Sequence, residues 1–486
     1  MSAFLVASPV LVPLAVALLT TLLHTRPRLA ANVSLLGGVA LLACSLALLA
    51  RVLADGVQRT AFGNWPAPFG IEFVVDPLSA SMALITALMG VVCLVFQRSS
   101  ADPAPESPTL HPLIHALLAG VGGAFVTGDL FNLYVWFEVM LLASLGLLAL
   151  GMGRRHLDAT LKYFVLNALG TLLFLAGIAA VYGLTGHLNY DALAQASSLV
   201  EPLRMLPAVA LVCLAFLIKA GAFPLFAWLP SSYHTLPAPL LALFAALLTK
   251  VGVYAVLRML GDVFVVTPDI AYQVLGWIAV ATMITGVLGA AFHWDIRRIL
   301  AFHIVSQIGY MLLGIALDSE AGTIGTIFYI LHHIIVKANL FLIAAIIFSL
   351  TGSYDLRRIG GLWKTRPWLG VLFLIPALSL VGIPPLSGFW AKFIVVRESL
   401  AQGEFIWTAA ALLVGFLTLY SMMKIWMQAF WAKHPDEQWT PPSDVRLGPA
   451  WLATIGLALI TVVIGLMPQP LYSFAEQAVR AMGVSP

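Results

Sequence analysis

The sequence predicts an all-α membrane protein of about fourteen transmembrane helices, two of them broken near the middle, arranged around two inverted five-helix repeats. Three observations carry that prediction. Hydrophobic residues fill 61% and charged residues only 10% of 486 positions, more apolar surface than water-soluble domains can hide. The apolar residues fall in runs of about 20, the length that crosses a hydrocarbon core as a helix. Two runs are too long for one straight helix, and each carries the frame Gly-x-x-Pro-Leu, at Gly221 to Leu225 and at Gly382 to Leu386.

In chain order the runs cover approximately 3–23, 30–50, 77–97, 111–128, 130–151, 160–184, 204–230 (broken), 237–258, 269–292, 297–316, 320–350, 367–400 (broken), 404–430 and 449–468. The longest polar connections, 52–76, 185–203 and 431–448, are too short to hold a core of their own. The net charge of +3 says little, but its distribution says more. Connections after odd-numbered spans carry Arg26 and Arg28, Arg154 and Arg155, Arg297 and Arg298, then Arg357, Arg358, Lys364 and Arg366. By the positive-inside rule those connections are cytoplasmic, so both termini are expected outside a bacterial plasma membrane. No basic region precedes the first run and no small-residue cleavage site follows it, so it reads as a retained span. Cys44, Cys93 and Cys213 sit singly in apolar runs and imply neither a disulfide framework nor a metal site.

The two Gly-x-x-Pro-Leu frames lie 161 residues apart, an interval holding about five helices. An odd number of spans inverts the second copy, which divides the chain into 1–110 (spans 1 to 3), 111–258 (first repeat, spans 4 to 8), 269–430 (second repeat, spans 9 to 13) and 449–486 (span 14 and tail). Gly221 and Pro224 break span 7; Gly382, Pro384 and Pro385 break span 12. Broken helices are tolerated in a bilayer where they line a wet cavity.

Charges inside spans are the second signal, because each costs on the order of 2.5 to 3.5 kcal/mol at a helix centre. Glu138 lies deep in span 5, Lys219 just before the first break, Lys250 within span 8 and Lys337 near the middle of span 11. His333 precedes Lys337 by four residues and shares its face, whereas His332 points elsewhere. His303 and Gln307 form a second four-residue pair on span 10, and His234 follows the first break. Bland readings exist for single members. Lys392 lies five residues from Arg397 and could reach the interface along its own stem, as could Lys162 near Arg154 and Arg155. Lys219 and Glu138 could be a static ion pair, and a lone buried histidine is commonly just a satisfied core residue. Asp76, followed by Pro77, reads as the N-cap of span 3.

Together the set has the composition of a proton relay through Glu138, Lys219, Lys250, His333 with Lys337, and Lys392, supported by His303, Gln307, His332 and His234. Burial disfavours the charged form of a lysine and a nearby carboxylate favours it, so movement of Glu138 relative to Lys219 would switch proton affinity. No phosphate loop, Cys-x-x-Cys or metal motif competes, and no cofactor or nucleic-acid partner is implied.

At this point the residues carry a resemblance. "GDLFNLYVWFEVML", "LIKAGAFPLFAWLPSSYHTLPAPLLALFAALLTKVGVYAVLR", "DIRRILAFHIVSQIGYMLLGIAL", "LHHIIVKANLFLI" and "GIPPLSGFWAKF" resemble the antiporter family shared by the D subunits of Mrp-type cation/proton antiporters and the antiporter-like membrane subunits of respiratory complex I. The likeness runs from about span 3 to span 13, and the wording is closest to the Mrp branch. It implies a hetero-oligomer with the Mrp A, B, C, E, F and G subunits, and exchange of sodium or another monovalent cation for protons. It also implies that Glu138, Lys219, Lys250 and Lys392 are the family's membrane glutamate and lysines, with His333 and Lys337 beside them. The second half departs from strict symmetry. An offset of 161 places partners for Lys219 and Lys250 at Leu380 and near Ala411, neither ionisable, so one path using both halves is expected. The alternative reading is a proton-pumping subunit of a complex I-type or hydrogen-evolving membrane oxidoreductase, where redox chemistry drives the same relay.

Overall fold

The computed structural model describes residues 2–65, 69–151, 153–264, 266–442 and 445–483. The end of the expected tail, and parts of the 52–76 and 431–448 connections, lie outside the described residues. Twelve helices are long and apolar enough to cross a membrane, and the shorter apolar helices Leu110–Val126 and Pro367–Val381 complete fourteen spans among the described residues. The seventh span is Pro202–Ala220 followed, after a break, by the short helix Trp228–Ser232; the twelfth is Pro367–Val381 followed by Ser387–Ala401. Spans 8, 10 and 11 (Ala238–Arg258, Ile296–Ala316 and Glu320–Thr351) are almost wholly enclosed, while spans 2 and 6 (Pro27–Asp55 and Arg154–Thr185) expose most of their surface. The enclosed spans are the ones that carry Lys250, His303 with Gln307, and His333 with Lys337.

Tight helix contacts form this core, as expected where lipid tails supply no hydrophobic drive between helices and small residues let backbones approach. A Cβ at Gly286 of span 9 (Asp269–Phe292) would strike the Ser306 backbone of span 10. One at Gly309 would strike the Ala279 carbonyl in return.

The repeat shows in matched caps. Asp129 caps the helix start Leu130–Ala149, accepting from the Asn132 amide, and bridges to Asn189; Asp295 caps Ile296–Ala316, accepting from the Arg297 and Arg298 amides, and bridges to Asp355. Spans 6 and 11 are both 32 residues long and end on left-handed glycines, Gly186 and Gly352. All these pairs lie 166 positions apart. The left-handed glycines at the breaks, Gly221 and Gly382, keep the offset of 161, and the π-helical turns Met259–Val263 and Met427–Trp431, which end spans 8 and 13, lie 168 apart. The offset drifts because the breaks and connections differ in length. Lys250 is therefore matched by Thr418 and not by Ala411, and Lys219 is still matched by Leu380; neither partner is ionisable.

Two ends of the bundle differ in chemistry. One carries Arg155, Arg297, Arg298 and Arg357; there, hydrogen bonds from Arg357, reinforced by its charge, hold the Asp355 carboxyl below the usual carboxylate range. The other carries an antiparallel hairpin, Gln58–Ala61 with Glu72–Val75, and receives the amphipathic helix Gln469–Met482, which buries Ala475, Ala478, Val479 and Met482. Neither the hairpin nor this helix was expected from the apolar runs. Asp76 caps span 3 (Pro77–Phe96) as expected, accepting from the Ser79 amide at 2.8 Å. It also forms a buried ion pair at 2.6 Å with Arg258, which in turn holds Asp262 at 2.6 Å and donates to Tyr254 and Ser79. Arg258 thus ties the last turn of span 8 to the start of span 3.

Candidate functional site

The first break is built by Gly221, whose φ of +78° suits glycine, and by Pro224, which has no amide to donate. Two of the backbone groups there find side-chain partners. The Ile218 carbonyl accepts from the Trp228 indole at 3.0 Å, and the Phe223 amide donates to Thr282 Oγ1 at 2.9 Å. Lys219 occupies the last turn before the break and is 5% exposed. Its ammonium reaches Asn167 Oδ1 at 3.4 Å and Tyr163 Oη at 3.5 Å, both on span 6. Tyr163 in turn shares a 2.8 Å hydrogen bond with Ser144 of span 5. Glu138 lies on that same span, half-buried, and is the charged group that acts on Lys219 through space. The two do not close to an ion pair.

The second break uses Gly382, at φ +94°, and Pro384 with Pro385. Here the lysine comes from the second half-helix. The Lys392 ammonium donates to the Val381 carbonyl at 3.0 Å, placing positive charge on the C-terminus of the first half-helix. It sits 4.5 Å above the Tyr310 ring, in an apolar cavity of about 330 Å³ also lined by Gly382, Phe389, Phe393 and Gly415. His332 faces this break and not His333's surroundings: its Nδ1 meets Ser387 Oγ at 2.8 Å, and Ser387 meets Ser379 at 3.0 Å.

Between the breaks the enclosed spans supply the remaining groups. Lys250 and Lys337 are fully buried. Each donates to a backbone carbonyl, Lys250 to Ala245 at 2.6 Å and Lys337 to Leu300 at 3.2 Å. The charges acting on Lys337 are Lys250 and Lys392, and those acting on His333 include all three lysines, so these residues form one electrostatic row. His333 is fully buried and, among the described residues, both its ring nitrogens are unpartnered. Tyr329, one turn away, donates to Gln307 Oε1 and stacks on Tyr310 at 5.6 Å, linking the row toward Lys392. Gln307 Nε2, His303 Nδ1 and the whole Asn339 side-chain amide are also buried without partners among the described residues. An unsatisfied buried polar atom costs on the order of 1 to 3 kcal/mol, and the usual remedy in a roomy polar site is water.

His234 stands apart from the row. It lies in the turn Tyr233–Thr235, at the mouth of a cavity of about 870 Å³ on the arginine-rich face, with Arg155, Lys162, His293, Arg297 and Arg298. Burial, then the Arg298 guanidinium beside it, pushes His234 down to about 4, so it is neutral at pH 7. Lys162 is exposed and pairs with Asp158, one turn before it.

Tyr163, Asn167, Tyr310 and Tyr329 were not singled out from the sequence. A signal was present: Tyr163 and Asn167 form an i, i+4 polar pair like His303 and Gln307, and Tyr163 and Tyr329 share the 166-residue offset of the caps.

A many-spanned membrane bundle with two broken helices and a buried row of basic side chains defines an antiporter-like membrane subunit. The family described as NADH:quinone oxidoreductase/Mrp antiporter, TM, matches residues 127–419. The chain belongs to that family. It is 42% identical to the D subunit of the Na(+)/H(+) antiporter of Alkalihalophilus pseudofirmus, over 97% of this chain and 96% of that one. It is 35% identical to the protein of the same name from Bacillus subtilis, over 98% and 96%. Among solved structures, a chain of the Mrp complex from Dietzia sp. DQ12-45-1b superposes with a TM-score of 0.89 at 33% identity, covering 98% of this chain and 97% of that one. A chain of an archaeal membrane-bound sulfane sulfur reductase shares the fold, with a TM-score of 0.90 at 24% identity, covering 98% and 97%. The protein is a multi-pass membrane subunit of a multisubunit assembly.

Proposed function

We propose that the chain is the D-type subunit of a monovalent cation/proton antiporter, a secondary transporter and not an enzyme, and that it moves protons along the row Glu138, Lys219, Lys250, His333 with Lys337, and Lys392. One observation carries this reading: among the described residues none of the four lysines has a carboxylate within 4.0 Å. A buried ammonium held only by carbonyls, hydroxyls and an amide is costly unless water reaches it or its proton leaves. A static ion-pair network would show the opposite arrangement. In this reading Glu138 modulates Lys219 from a distance, and Tyr163 with Asn167 holds the ammonium meanwhile. The partners are the Mrp A, B, C, E, F and G subunits, with sodium and protons as the transported ions. The 42% identity along nearly the whole chain to a Na(+)/H(+) antiporter subunit supports this over a redox-driven pump, for which the likeness is at 24 to 25% identity.

The arginine-rich face is assigned to the cytoplasm of a bacterial plasma membrane, with both termini outside. The working units are 1–110, 111–258, 269–430 and 449–486. Lys219→Ala, expressed with the whole complex in an antiporter-deficient strain, is expected to abolish sodium-driven proton movement in everted vesicles while the complex still assembles. Normal exchange by that variant would refute the relay.

A further inference from the structure

Beyond the row just proposed, the second repeat contains polar groups that lead away from it toward the arginine-rich face. His303 lies seven residues, about 10 Å of helix, from the Ile296 end of span 10. Its ring is fully buried, and Lys337, Lys392 and Lys424 are the charges that act on it. Lys337 donates to Leu300, three residues away on the same helix, so the central ammonium and the His303 ring share one stretch of span 10. His303 Nε2 meets Ser421 Oγ at 2.6 Å. The Ser421 hydroxyl has carbonyls of its own helix to donate to, Thr418 at 3.0 Å and Leu417 at 3.1 Å. With the serine hydroxyl so donated, its oxygen accepts from a proton on His303 Nε2, and the bare Nδ1 is buried without a partner among the described residues. That ring can take a proton on one side and release one on the other.

Lys424 lies three residues after Ser421, on the same side of span 13 (Phe405–Trp426). Its half-buried ammonium donates to the carbonyls of Ala291 and His293, both at 2.7 Å, where span 9 ends, and lies 5.2 Å from the Trp294 ring. His293 and Trp294 line the 870 Å³ cavity. A lysine on a helix C-terminus is a sound static cap. Here, however, the cap joins span 13, three residues after Ser421, to His293, which lines that cavity.

We propose that His303, Ser421 and Lys424 form a branch of the proton path, joining the central row to the cavity on the arginine-rich face. It rests on the reading that this chain carries protons. A proton reaching Nδ1 makes the His303 ring cationic, and Nε2 releases its proton to Ser421 Oγ. The Ser421 hydroxyl turns from the Thr418 and Leu417 carbonyls, its original proton passes to water beside Lys424, and the ring is left neutral in its other tautomer until it re-exchanges. Lys424 acts as a positioning residue, ordering water at the mouth and opposing entry of a metal cation there.

The test uses everted vesicles carrying the whole complex. Ser421→Ala is expected to slow sodium-driven proton movement on the order of 10²-fold, the lower end for a positioned proton carrier. Ser421→Thr restores the hydroxyl and the rate. Lys424→Met lowers the rate, and Lys424→Arg, which keeps the charge, restores most of it. Should Ser421→Ala fail to assemble, His303→Gln decides instead, since it keeps a donor toward Ser421 but cannot titrate. Wild-type rates in Ser421→Ala or His303→Gln, beside an inactive Lys219→Ala, overturn the branch and leave the row standing. A normal rate in Lys219→Ala refutes the row, and the branch with it.

Discussion

Lys250→Met is expected to abolish antiport, by about 10²-fold or more, without destabilising the protein. The side chain is fully buried and donates to the Ala245 carbonyl, and among the described residues no carboxylate lies within 4.0 Å of it. A thioether of similar length fills the same space and removes a group that is expensive to bury. The thermal midpoint of the purified complex should stay within about 2 °C of wild type or rise. A structural lysine predicts the reverse pattern, with lost stability and retained transport. Lys250→Arg is no rescue, because the larger guanidinium cannot shed its proton.

Arg258→Met should do the opposite. It removes the one cation between Asp76 and Asp262, leaving a carboxylate with a 9% exposed side chain beside a second with 20%. Breaking a buried pair by deleting one partner costs about 3 to 5 kcal/mol, a large share of the net stability of a folded unit. Little folded complex should survive detergent extraction. Adding Asp76→Asn and Asp262→Asn to the same chain should recover much of the yield, because no uncompensated charge remains. If Arg258→Met alone extracts and melts like wild type, the ion cluster has no structural weight.

These two variants also show what could be read in the sequence. Lys250 was legible because a charge in the middle of an apolar run has no bland explanation. Arg258 was not, since it stands at the end of its run, where an arginine ordinarily reaches the interface; only the fold brings Asp76, 182 positions away, against it. The breaks at Gly221 with Pro224 and at Gly382 with Pro384 and Pro385 were legible because glycine and proline act locally. At the first break the Ile218 carbonyl is taken up by Trp228 of the second half-helix and the Phe223 amide by Thr282 of span 9, partners that the apolar run alone did not reveal. The partners of Lys219, Tyr163 and Asn167, left a signal in their four-residue spacing, but only the neighbouring helix shows which group that pair serves. A single repeat offset of 161 aligned the breaks but misaligned span 13, since the caps repeat at 166 and the π-helical turns at 168.

The row from Lys250 through His333 and Lys337 to Lys392 works only if water joins its members, because among the described residues neither ring nitrogen of His333 has a hydrogen-bond partner. A cryo-electron microscopy map of the assembled complex, at a resolution that shows ordered water, tests this directly. Waters within hydrogen-bond reach of His333 Nδ1 and Nε2, His303 Nδ1 and Gln307 Nε2, continuous between Lys250 and Lys337, are the predicted result. A dry interior around His333, with apolar side chains closing the gap between the two lysines, would contradict it.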